Sequence, residues 1–345
     1  MKIGMMSAWN ETSGVAIHGE LVGREWVKMG NELRVFSFLE GDFHGYALIG
    51  TDEEYVIRCF GTPARSNYLN PLPFLKEDYD LFVAQDLGML PRDKLAMIFP
   101  SIKRKAKTVL VVHTNKLRDD PSFYQFDWDA IVCFDYRYKN FLKGVYPEDK
   151  IHIIPFPCKV WPDSDQEKER RKLSLSLDKK IIFVFGQKWR NMLELVPALL
   201  DISEEYPLLL LIFSAAQRVA GFEHLKRKAR IRKEVLEQDR IGRYLHAADA
   251  TIFGKHSAEG AVLSSTAHLI LGCGCPIVAR DSNFFELIGR EVLKYRNLEE
   301  FKENLRSIFE KDEKYRICRK AAEEYAQKNS SEKIASKFLE LFKKL

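Results

Sequence analysis

Several features that would assign this chain to a particular class are missing from its sequence. No apolar run approaches the ~18 residues that cross a bilayer, and the longest, such as Leu208 to Phe213, are far shorter. The 54 basic and 49 acidic residues leave a formal charge of only +5, which is too balanced for a typical nucleic-acid-binding protein. These absences predict a soluble protein that has no nucleic-acid partner.

Paired cysteines are also absent. The six cysteines are scattered, and Cys273 and Cys275 have no matching Cys or His pair elsewhere in the chain. Their spacing fits small buried residues better than disulfides or metal ligands. We therefore expect a reducing, cytoplasmic environment and no metal site.

The glycine fingerprint of dinucleotide-binding proteins, G-x-G-x-x-G, does not follow the first predicted strand. The N-terminal MKIGMMSAWN predicts that strand and not a signal peptide, because it lacks a long apolar region and a small-residue cleavage site. A turn with Ser13 and Gly14 then leads into a helix predicted from Ile17. This pattern disfavours an NAD-dependent dehydrogenase, yet Gly14 would let the backbone approach a ligand closely.

Short apolar segments alternate with longer amphipathic ones along all 345 residues. Several are continuous apolar runs, which are typical of parallel strands covered on both faces. The predicted strands are Lys2–Met6, Leu33–Phe38, Leu81–Ala84, Thr108–His113, Ala130–Phe134, Ile151–Ile154, Ile181–Phe185, Leu208–Phe213, Thr251–Phe253, Ile277–Ala279 and Val292–Tyr295. Helices such as Ile17–Met29 and Leu193–Glu205 lie between them. This rhythm predicts an α/β protein built from doubly wound sheets.

The length favours about two domains of ~150 residues each. Two prolines at 155 and 157 precede the polar run DSDQEKERRK, which is typical of a linker. We therefore predict an N-terminal Rossmann-like domain over residues 1–157, a linker over 158–179 and a C-terminal Rossmann-like domain from residue 180.

The segment from Tyr244 to Glu286 is the most informative. A short strand is followed by a small-residue loop with Glu259 and Gly260, and the cluster Ser264, Ser265 and Thr266 then opens a helix. Hydroxyls and free amides at a helix N-terminus suit a phosphate. The order of these features, continued by GCPIVA, a polar turn and a glutamate, resembles the donor-binding segment of group 1 retaining glycosyltransferases of the GT-B fold.

This resemblance implies two Rossmann-like domains that face each other across a cleft. The C-terminal domain would end at residue 325, and a last helix over 326–345 would cross back to the N-terminal domain. It also implies a metal-independent enzyme without a cofactor, which moves a sugar with retention from a UDP- or GDP-linked donor. The acceptor would be a hydroxyl of a polysaccharide, a glycolipid or a small molecule.

On the acceptor side, the resemblance implies roles for residues at the ends of predicted strands. His113 follows the strand from Thr108 and is the first candidate for a catalytic residue, because the family tends to place a histidine there against the transferred sugar. Gln85 and Asp86 end the preceding strand and are acceptor-side candidates. His18, in the first helix, is either an acceptor-side group or an ordinary surface histidine.

On the donor side, the loop after the first strand of the C-terminal half carries Gly186, Lys188 and Arg190. In the family, an arginine after the glycine and a later lysine neutralise the donor diphosphate. Gln187 replaces that arginine here, so Lys188 and Arg190 are the candidate cations. Fixed cations there would stabilise the charge that develops on the leaving group.

The family also has two glutamates that are separated by seven intervening residues. Glu259, beside Gly260, resembles the first and would act near the donor sugar. The second is missing, because Ala267 occupies its position. Glu286 or the serine–threonine cluster could substitute for it, and His268 is a candidate for the ribose contact.

The missing glutamate keeps a second function open, a GT-B-like protein that binds a nucleotide sugar without transferring it. A nucleotide-sugar epimerase is a weaker third alternative. A basic run from His224 to Lys233 is predicted to lie on a helix. It is either a solvated face or a peripheral contact with anionic lipid, which would suit a lipid-linked acceptor at the inner face of a membrane.

Overall fold

The computed structural model describes residues 1–186, 189–214 and 221–345. The chain divides into two compact units. The first unit comprises Met1–Pro157, Glu259–Ala261 and Asn329–Leu345, and the second comprises Cys158–Ala258 and Val262–Lys328. The segment 158–179 lies in the second unit and contains a helix.

The described residues form strands β1 to β13 and α-helices α1 to α11. The strands are β1 Lys2–Met6, β2 Glu32–Phe38, β3 Val56–Phe60, β4 Leu81–Gln85, β5 Lys107–Val111, β6 Ala130–Cys133, β7 Ile151–Ile153, β8 Lys180–Phe185, β9 Leu208–Ser214, β10 Ala229–Lys233, β11 Ala250–Phe253, β12 Ile277–Arg280 and β13 Leu293–Tyr295. The helices are α1 Gly14–Lys28, α2 Pro71–Lys76, α3 Arg92–Lys105, α4 Tyr136–Leu142, α5 Gln166–Lys172, α6 Val196–Glu205, α7 Gln238–Ala247, α8 Ser265–Ile270, α9 Leu298–Glu310, α10 Glu313–Lys328 and α11 Ser331–Phe342.

The first unit is built on a seven-stranded sheet with the order β3-β2-β1-β4-β5-β6-β7. Each strand pairs in parallel with its neighbours. The central strands are continuous apolar runs that are buried throughout, as in β4 and β6, because helices cover both faces of such a sheet. The strand order reverses between β1 and β4, and ligands of open α/β sheets bind at such a switch point, outside the carboxyl ends of the strands.

Helix α11 completes the core of the first unit by packing on α1. The indole Nε1 of Trp26 donates a hydrogen bond to the carbonyl oxygen of Ala335 at 3.2 Å. Its ring centroid lies 5.7 Å from that of Phe338 and 5.5 Å from that of Phe342. Helix α1 itself begins at a defined point, since the Oγ of Ser13 accepts a hydrogen bond from the backbone N–H of Ala16.

The second unit has a six-stranded sheet with the order β10-β9-β8-β11-β12-β13, again paired in parallel. Its order reverses between β8 and β11. Apolar side chains of β8, β9 and β11 pack with those of α6 and α9 in one buried cluster. Both units therefore have the doubly wound α/β architecture that the sequence predicts, and they contain two separate sheets.

The helix predicted over the basic run from His224 to Lys233 is wrong. A 3-10 helix spans Glu223–Lys228, and Ala229–Lys233 forms the edge strand β10. Arg230, Ile231, Arg232 and Lys233, the last four residues of β10, are all exposed, and β10 lies at the open edge of its sheet. Charged residues are common on edge strands because they discourage pairing with other chains. Among the described residues, no helix is long and apolar enough to cross a membrane.

Candidate functional site

The loop after β1, at the switch point of the first sheet, is held by buried polar side chains. Asn10 adopts a left-handed backbone conformation with φ 50°, and its N–H donates to Glu20 Oε1 at 2.8 Å. The guanidinium of Arg24 donates to Asn10 Oδ1 at 2.8 Å and to Glu20 Oε2 at 3.1 Å. Gly14 is the first residue of α1 and follows directly on this loop.

Two carboxyl groups near this loop are buried. Burial raises the pKa of Glu11 to about 7, although the N–H of Gly45 donates to its Oε2 at 2.8 Å. Burial also raises the pKa of Glu20 to about 7, against the opposing charge of Arg24. Within the described residues, Glu11 Oε1 has no hydrogen-bond partner. Burial therefore raises the pKa of two neighbouring carboxyls, Glu11 in the loop and Glu20 in α1, towards neutral pH.

His18, Gln85 and His113 meet in the first unit. Gln85 Oε1 lies 3.1 Å from His18 Nδ1 and 2.9 Å from His113 Nε2. Helix α1 supplies His18, the last residue of β4 is Gln85, and His113 lies two residues beyond β5. His18 is fully buried, so it is not a surface histidine. The three side chains form one polar cluster, which we name the histidine–glutamine cluster.

Aromatic rings enclose this cluster. The His18 ring centroid lies 5.2 Å from that of Phe134, 5.3 Å from that of Phe156 and 5.8 Å from that of Phe338. Burial lowers the pKa of His18 to about 3 and the pKa of His113 well below its usual value. Both imidazoles are therefore neutral at physiological pH.

Asp86, next to Gln85, has a left-handed backbone conformation with φ 55°. Such a conformation is uncommon for a residue other than glycine and is enriched at functional sites. Its Oδ1 accepts a hydrogen bond from the N–H of Gly88 at 3.1 Å. Burial nevertheless raises the pKa of Asp86 to about 6, against this bond and the positive charges of Arg118 and Arg92. Asp86 also lines a narrow cavity with Lys116, Arg118, Phe123 and Tyr124.

Glu259, Gly260 and Ala261 lie in the first unit, where they contact the loop that follows His113. Lys116 Nζ donates to Glu259 Oε2 at 2.7 Å, and Asn115 Nδ2 donates to the Glu259 carbonyl at 2.6 Å. Gly260 has φ 75°, and a Cβ there would lie 2.1 Å from the Asn115 carbonyl oxygen. Only glycine fits at this position.

In the second unit, two loops meet at the switch point of the sheet. Gly186 ends β8 with φ 102°. Gly254, just after β11, approaches the next part of the β8 loop so closely that a Cβ would lie 2.4 Å from the Asn191 carbonyl oxygen. Arg190 is exposed in a 3-10 helix over Trp189–Leu195. Lys188, the other predicted cation, lies outside the described residues.

Glu194 joins the same loops to β12. Arg280 Nε lies 3.1 Å from Glu194 Oε1, and His256 Nε2 lies 3.5 Å from Glu194 Oε2. Asn283 and Ala258 exchange two hydrogen bonds, at 2.7 and 3.1 Å, which join the loops after β11 and β12. The carboxyl ends of β8, β11 and β12 are thereby fixed relative to one another.

The predicted helix after Glu259 is α8, which has only six residues. Ser264 caps it, since its Oγ accepts a hydrogen bond from the N–H of Ala267 at 3.3 Å. Lys255 Nζ donates to the same Oγ at 2.9 Å. Ser265 and Thr266 are partly exposed in the first turn of the helix. A lysine thus lies beside the hydroxyl cluster, at the carboxyl end of β11.

His268 and Glu286 differ in exposure. His268 is buried, its Nδ1 lies 2.9 Å from the Ser264 carbonyl oxygen and its Nε2 lies 3.4 Å from Tyr325 Oη. Burial lowers the pKa of His268 to about 4. Its ring nitrogens thus face groups of the protein, whereas Glu286 is exposed after a short 3-10 helix. Over the described part of the chain, no three His, Cys, Asp or Glu side chains are grouped as metal ligands.

Sequence reasoning missed several residues of these two switch points. They share a place at a strand end or in the first helix, and they are Asn10, Glu20, Arg24, Glu194, Lys255, Arg280 and Asn283. One signal was available for Lys255, a cation two residues after a buried strand. Glu20 and Arg24 form an i,i+4 pair in α1 that the sequence analysis did not consider. The others act through neighbours that are distant in sequence, so no local pattern reveals them.

The chain matches no known protein-family profile, but its fold is similar to several solved structures. Sucrose-phosphate synthase from Thermosynechococcus elongatus has a TM-score of 0.68 at 16% identity, with 100% of this chain and 98% of that chain covered. A glycosyltransferase from Rickettsia africae has a TM-score of 0.69 at 16% identity, with 99% of this chain and 98% of that chain covered. Anabaena HepE, solved with UDP and glucose, has a TM-score of 0.67 at 13% identity, with 100% of both chains covered. Two parallel doubly wound sheets and these likenesses show that the chain has the GT-B fold.

Proposed function

We propose that this protein is a retaining glycosyltransferase that moves a sugar from a nucleotide-sugar donor to a hydroxyl acceptor without a metal ion. The observation that carries the proposal is that each GT-B sheet has polar side chains at its switch point. In the first unit these are the histidine–glutamine cluster and Asp86, and in the second they are Arg190, Lys255 and Ser264. Ligands of open α/β sheets bind at such points.

The donor diphosphate would bind in the second unit, at the carboxyl ends of β8 and β11. Gly186 leaves the backbone open to a phosphate, Gly254 lets the loop after β11 approach the loop after β8, and Lys255 brings a cation to the Ser264 hydroxyl. Cations there would stabilise the leaving nucleoside diphosphate as its charge develops. HepE was solved with UDP and glucose, and Arabidopsis starch synthase IV with ADP and acarbose. These complexes support a donor linked to a nucleoside diphosphate, and we propose UDP or GDP for this chain.

The acceptor would use Gln85 and Asp86 of the first unit, and His113 would contact the transferred sugar. These residues lie at adjacent strand ends, where a neutral imidazole, an amide and a carboxyl can bind sugar hydroxyls. Retention with departure of the diphosphate on the same face needs no pair of carboxylates of the kind that glycoside hydrolases use. Glu259, paired with Lys116, is the acidic group that the proposal places near the donor sugar.

A thermal-shift screen with UDP, GDP, ADP and their sugar derivatives tests donor binding. A ligand that binds only the folded state stabilises it by about 2.7 kcal/mol at a concentration of 100 times Kd. We expect UDP or GDP to raise the melting temperature. No shift with any nucleotide or nucleotide sugar would contradict the proposal.

Lys255→Ala tests the position of the diphosphate. A charge-assisted contact contributes about 1.5–3 kcal/mol, so we expect affinity for the nucleotide to fall about tenfold or more in calorimetry. The double variant Lys188→Ala and Arg190→Ala should have a similar effect. Lys320→Ala is the matched control, because Lys320 is highly exposed on α10 of the same unit. Equal affinities for Lys255→Ala and the control would remove this lysine from the site.

A nucleotide-sugar-binding protein without transferase activity is the second candidate. Ala267, at the position of the second family glutamate, keeps it open, although the glycosyltransferases among the similar structures do not favour it. Turnover distinguishes the two. For a transferase, His113→Ala and Glu259→Gln should reduce transfer or donor hydrolysis more than nucleotide affinity. A wild-type protein that binds a nucleotide sugar yet shows no turnover with any acceptor pool, lipid extracts included, would establish the binding protein.

A lipid-linked acceptor is supported by the exposed edge strand β10, with Arg230, Arg232 and Lys233. Each cation near an anionic membrane surface contributes about 1 kcal/mol to binding. We expect the protein to co-sediment with vesicles containing anionic lipid and not with neutral vesicles, and the triple change to serine should abolish the difference. Equal sedimentation of the triple variant and wild type would exclude β10 as the contact with the membrane.

A further inference from the structure

The connection between β2 and β3 carries a further inference, which rests on the proposed function. We propose that its residues 42–48 form a wall of the acceptor site and that the Tyr46 ring stacks on the face of an acceptor sugar. The accepting hydroxyl would then belong to a sugar ring, of a polysaccharide or a glycolipid, and not to a lipid alcohol. We name residues 42–48 the acceptor wall.

The loop after β1 fixes the backbone of the acceptor wall at the switch point of the first sheet. Thr12 Oγ1 accepts hydrogen bonds from the N–H groups of Tyr46 and Ala47 at 2.9 and 3.0 Å. The Thr12 N–H donates to the Ala47 carbonyl oxygen at 3.0 Å. Just beyond the wall, the Ile49 N–H donates to the Asn10 carbonyl oxygen at 2.8 Å. The wall therefore has a defined position beside this loop.

The contact between Gly45 and Glu11 holds the middle of the acceptor wall. The Gly45 N–H donates to Oε2 of the buried Glu11 carboxyl at 2.8 Å. A Cβ at Gly45 would lie 3.1 Å from Glu11 Cβ and 3.1 Å from the Thr12 nitrogen. The two backbones are thus as close as a glycine allows, and the wall cannot move towards the loop.

His44 places the acceptor wall near the histidine–glutamine cluster. Its ring stacks with that of Phe38, with 6.3 Å between centroids and 25° between planes. Burial lowers the pKa of His113, and the charges of His18 and His44 lower it further. His44 therefore lies within electrostatic reach of His113, the residue that would contact the transferred sugar. The wall thus lies beside the loop after β1 and near the end of β5.

Tyr46 is the large side chain that the acceptor wall exposes. Its side chain is 70% exposed, although its N–H is bound to Thr12. Single exposed apolar side chains are common on protein surfaces, but this one is held on a fixed backbone at a switch point, where ligands of open α/β sheets bind. A tyrosine also has few rotatable bonds, so it offers a large flat contact at a low cost in conformational entropy.

The aromatic ring selects the chemistry of its ligand. The face of the ring is electron-rich, and a pyranose presents several C–H groups with partial positive charge on one of its faces. The two faces can stack while the sugar hydroxyls at the edge stay free to form hydrogen bonds. An alkyl chain needs only apolar surface and would bind a leucine as well as a tyrosine. Planarity at position 46 therefore distinguishes a sugar from a lipid.

NMR spectra of protein labelled with 13C-tyrosine test the contact directly. The probes are the methyl glycosides of glucose, galactose, mannose and N-acetylglucosamine, and Tyr46→Phe assigns the Tyr46 ring signals. We expect at least one glycoside to shift these signals and to receive saturation from the protein mainly at the C–H groups of one face. Tyr46 signals that no glycoside shifts would overturn the inference.

Three changes at Tyr46 separate planarity from apolar surface. Tyr46→Phe keeps the aromatic plane, Tyr46→Leu keeps an apolar side chain, and Tyr46→Ala removes both. With the glycoside that shifts Tyr46, we expect wild-type affinity for Tyr46→Phe and an affinity lower by about tenfold or more for the other two. In transfer assays, KM for this glycoside should rise by the same factor while kcat stays within about twofold of wild type. Equal affinities for Tyr46→Leu and wild type would overturn the inference.

Tyr68→Ala is the matched control, because Tyr68 is 47% exposed in the same unit, and it should bind the glycoside as wild type does. Equal losses in Tyr68→Ala and Tyr46→Ala would also overturn the inference. Failure of the proposed function has a different signature, since no nucleotide would then bind in the thermal-shift screen, whereas the Tyr46 signals still report whether a glycoside binds.

Discussion

The buried ring of His18 makes stability depend on pH. Its pKa of about 3 in the folded state lies below the unfolded value of about 6.5, so the unfolded chain binds more protons at mildly acidic pH. The stabilisation is therefore fully present above about pH 6.5 and is lost as the pH falls towards 3. We expect the unfolding free energy of wild type to fall by about 2 kcal/mol relative to His18→Gln between pH 7 and pH 5.

Urea unfolding of both proteins at each pH measures this difference. The exposed His224 provides the control, since His224→Gln removes a histidine without removing a buried one and should follow the wild-type curve. Parallel curves for wild type and His18→Gln would show that His18 is not held neutral in the folded protein.

A second residue-scale prediction concerns Gly254. Its Cα lies so near the Asn191 carbonyl that a methyl group would force the loops after β8 and β11 apart. We expect Gly254→Ala to reduce nucleotide affinity about tenfold or more while the protein remains folded, because a backbone contact cannot move as a flexible side chain does. Calorimetry measures the effect. Gly41→Ala is the matched control, since no atom lies within 4 Å of a Cβ built at Gly41, and equal affinities would contradict the prediction.

At the scale of single elements, helix α11 is coupled to the histidine–glutamine cluster through Phe338. That ring is fully buried and contacts both Trp26 and His18. Removal of a buried phenylalanine side chain costs about 3–5 kcal/mol. We expect Phe338→Ala to lower the unfolding free energy by this amount and to shift the His18 signals in 1H–15N spectra of protein labelled with 15N-histidine.

Tyr46 offers the matched aromatic control, since 70% of it is exposed, and Tyr46→Ala should change stability by no more than about 0.5 kcal/mol. Phe338→Ala with wild-type stability would mean that α11 does not contribute to the core of the first unit.

The strands show which elements a sequence reveals. Every strand predicted from a continuous apolar run occurs, and β1 has the predicted bounds. Among the described residues, two strands escaped prediction, Val56–Phe60 and Ala229–Lys233, and both lie at an edge of their sheet, as the predicted strands β7 and β13 also do. An edge strand has only one neighbour and needs less apolar surface, so β10 could combine three cations with Ile231 and resemble a polar helix. Which side of a segment is covered depends on partners that local sequence does not specify.

The same reasoning applies to the candidate site. Strand ends predicted Gln85, Asp86 and His113 as neighbours, because the carboxyl ends of adjacent parallel strands share one edge of the sheet. The shared oxygen of Gln85 could not be predicted, since it depends on side-chain orientations in α1, β4 and the loop after β5. Lys116 as the partner of Glu259 is likewise a contact between residues 143 positions apart.

For the whole molecule, nucleotide binding should protect a limited set of backbone amides. If the donor occupies the switch point of the second sheet, hydrogen exchange should slow in the loops after β8, β11 and β12 when UDP or GDP is added. Loops elsewhere in the second unit, such as the one between α9 and α10, serve as the internal control. Protection confined to the first unit would place the nucleotide at the seven-stranded sheet and contradict the proposal.

The first unit takes its last helix from the end of the chain, Asn329–Leu345, and the second unit occupies most of the sequence in between. During synthesis, the first 157 residues therefore leave the ribosome before α11, the helix that packs on Trp26 and His18. At about 5–20 residues per second, that helix follows roughly 10–40 s later. Until then the aromatic side of α1 is uncovered, and this is the interval in which a nascent chain would need a chaperone.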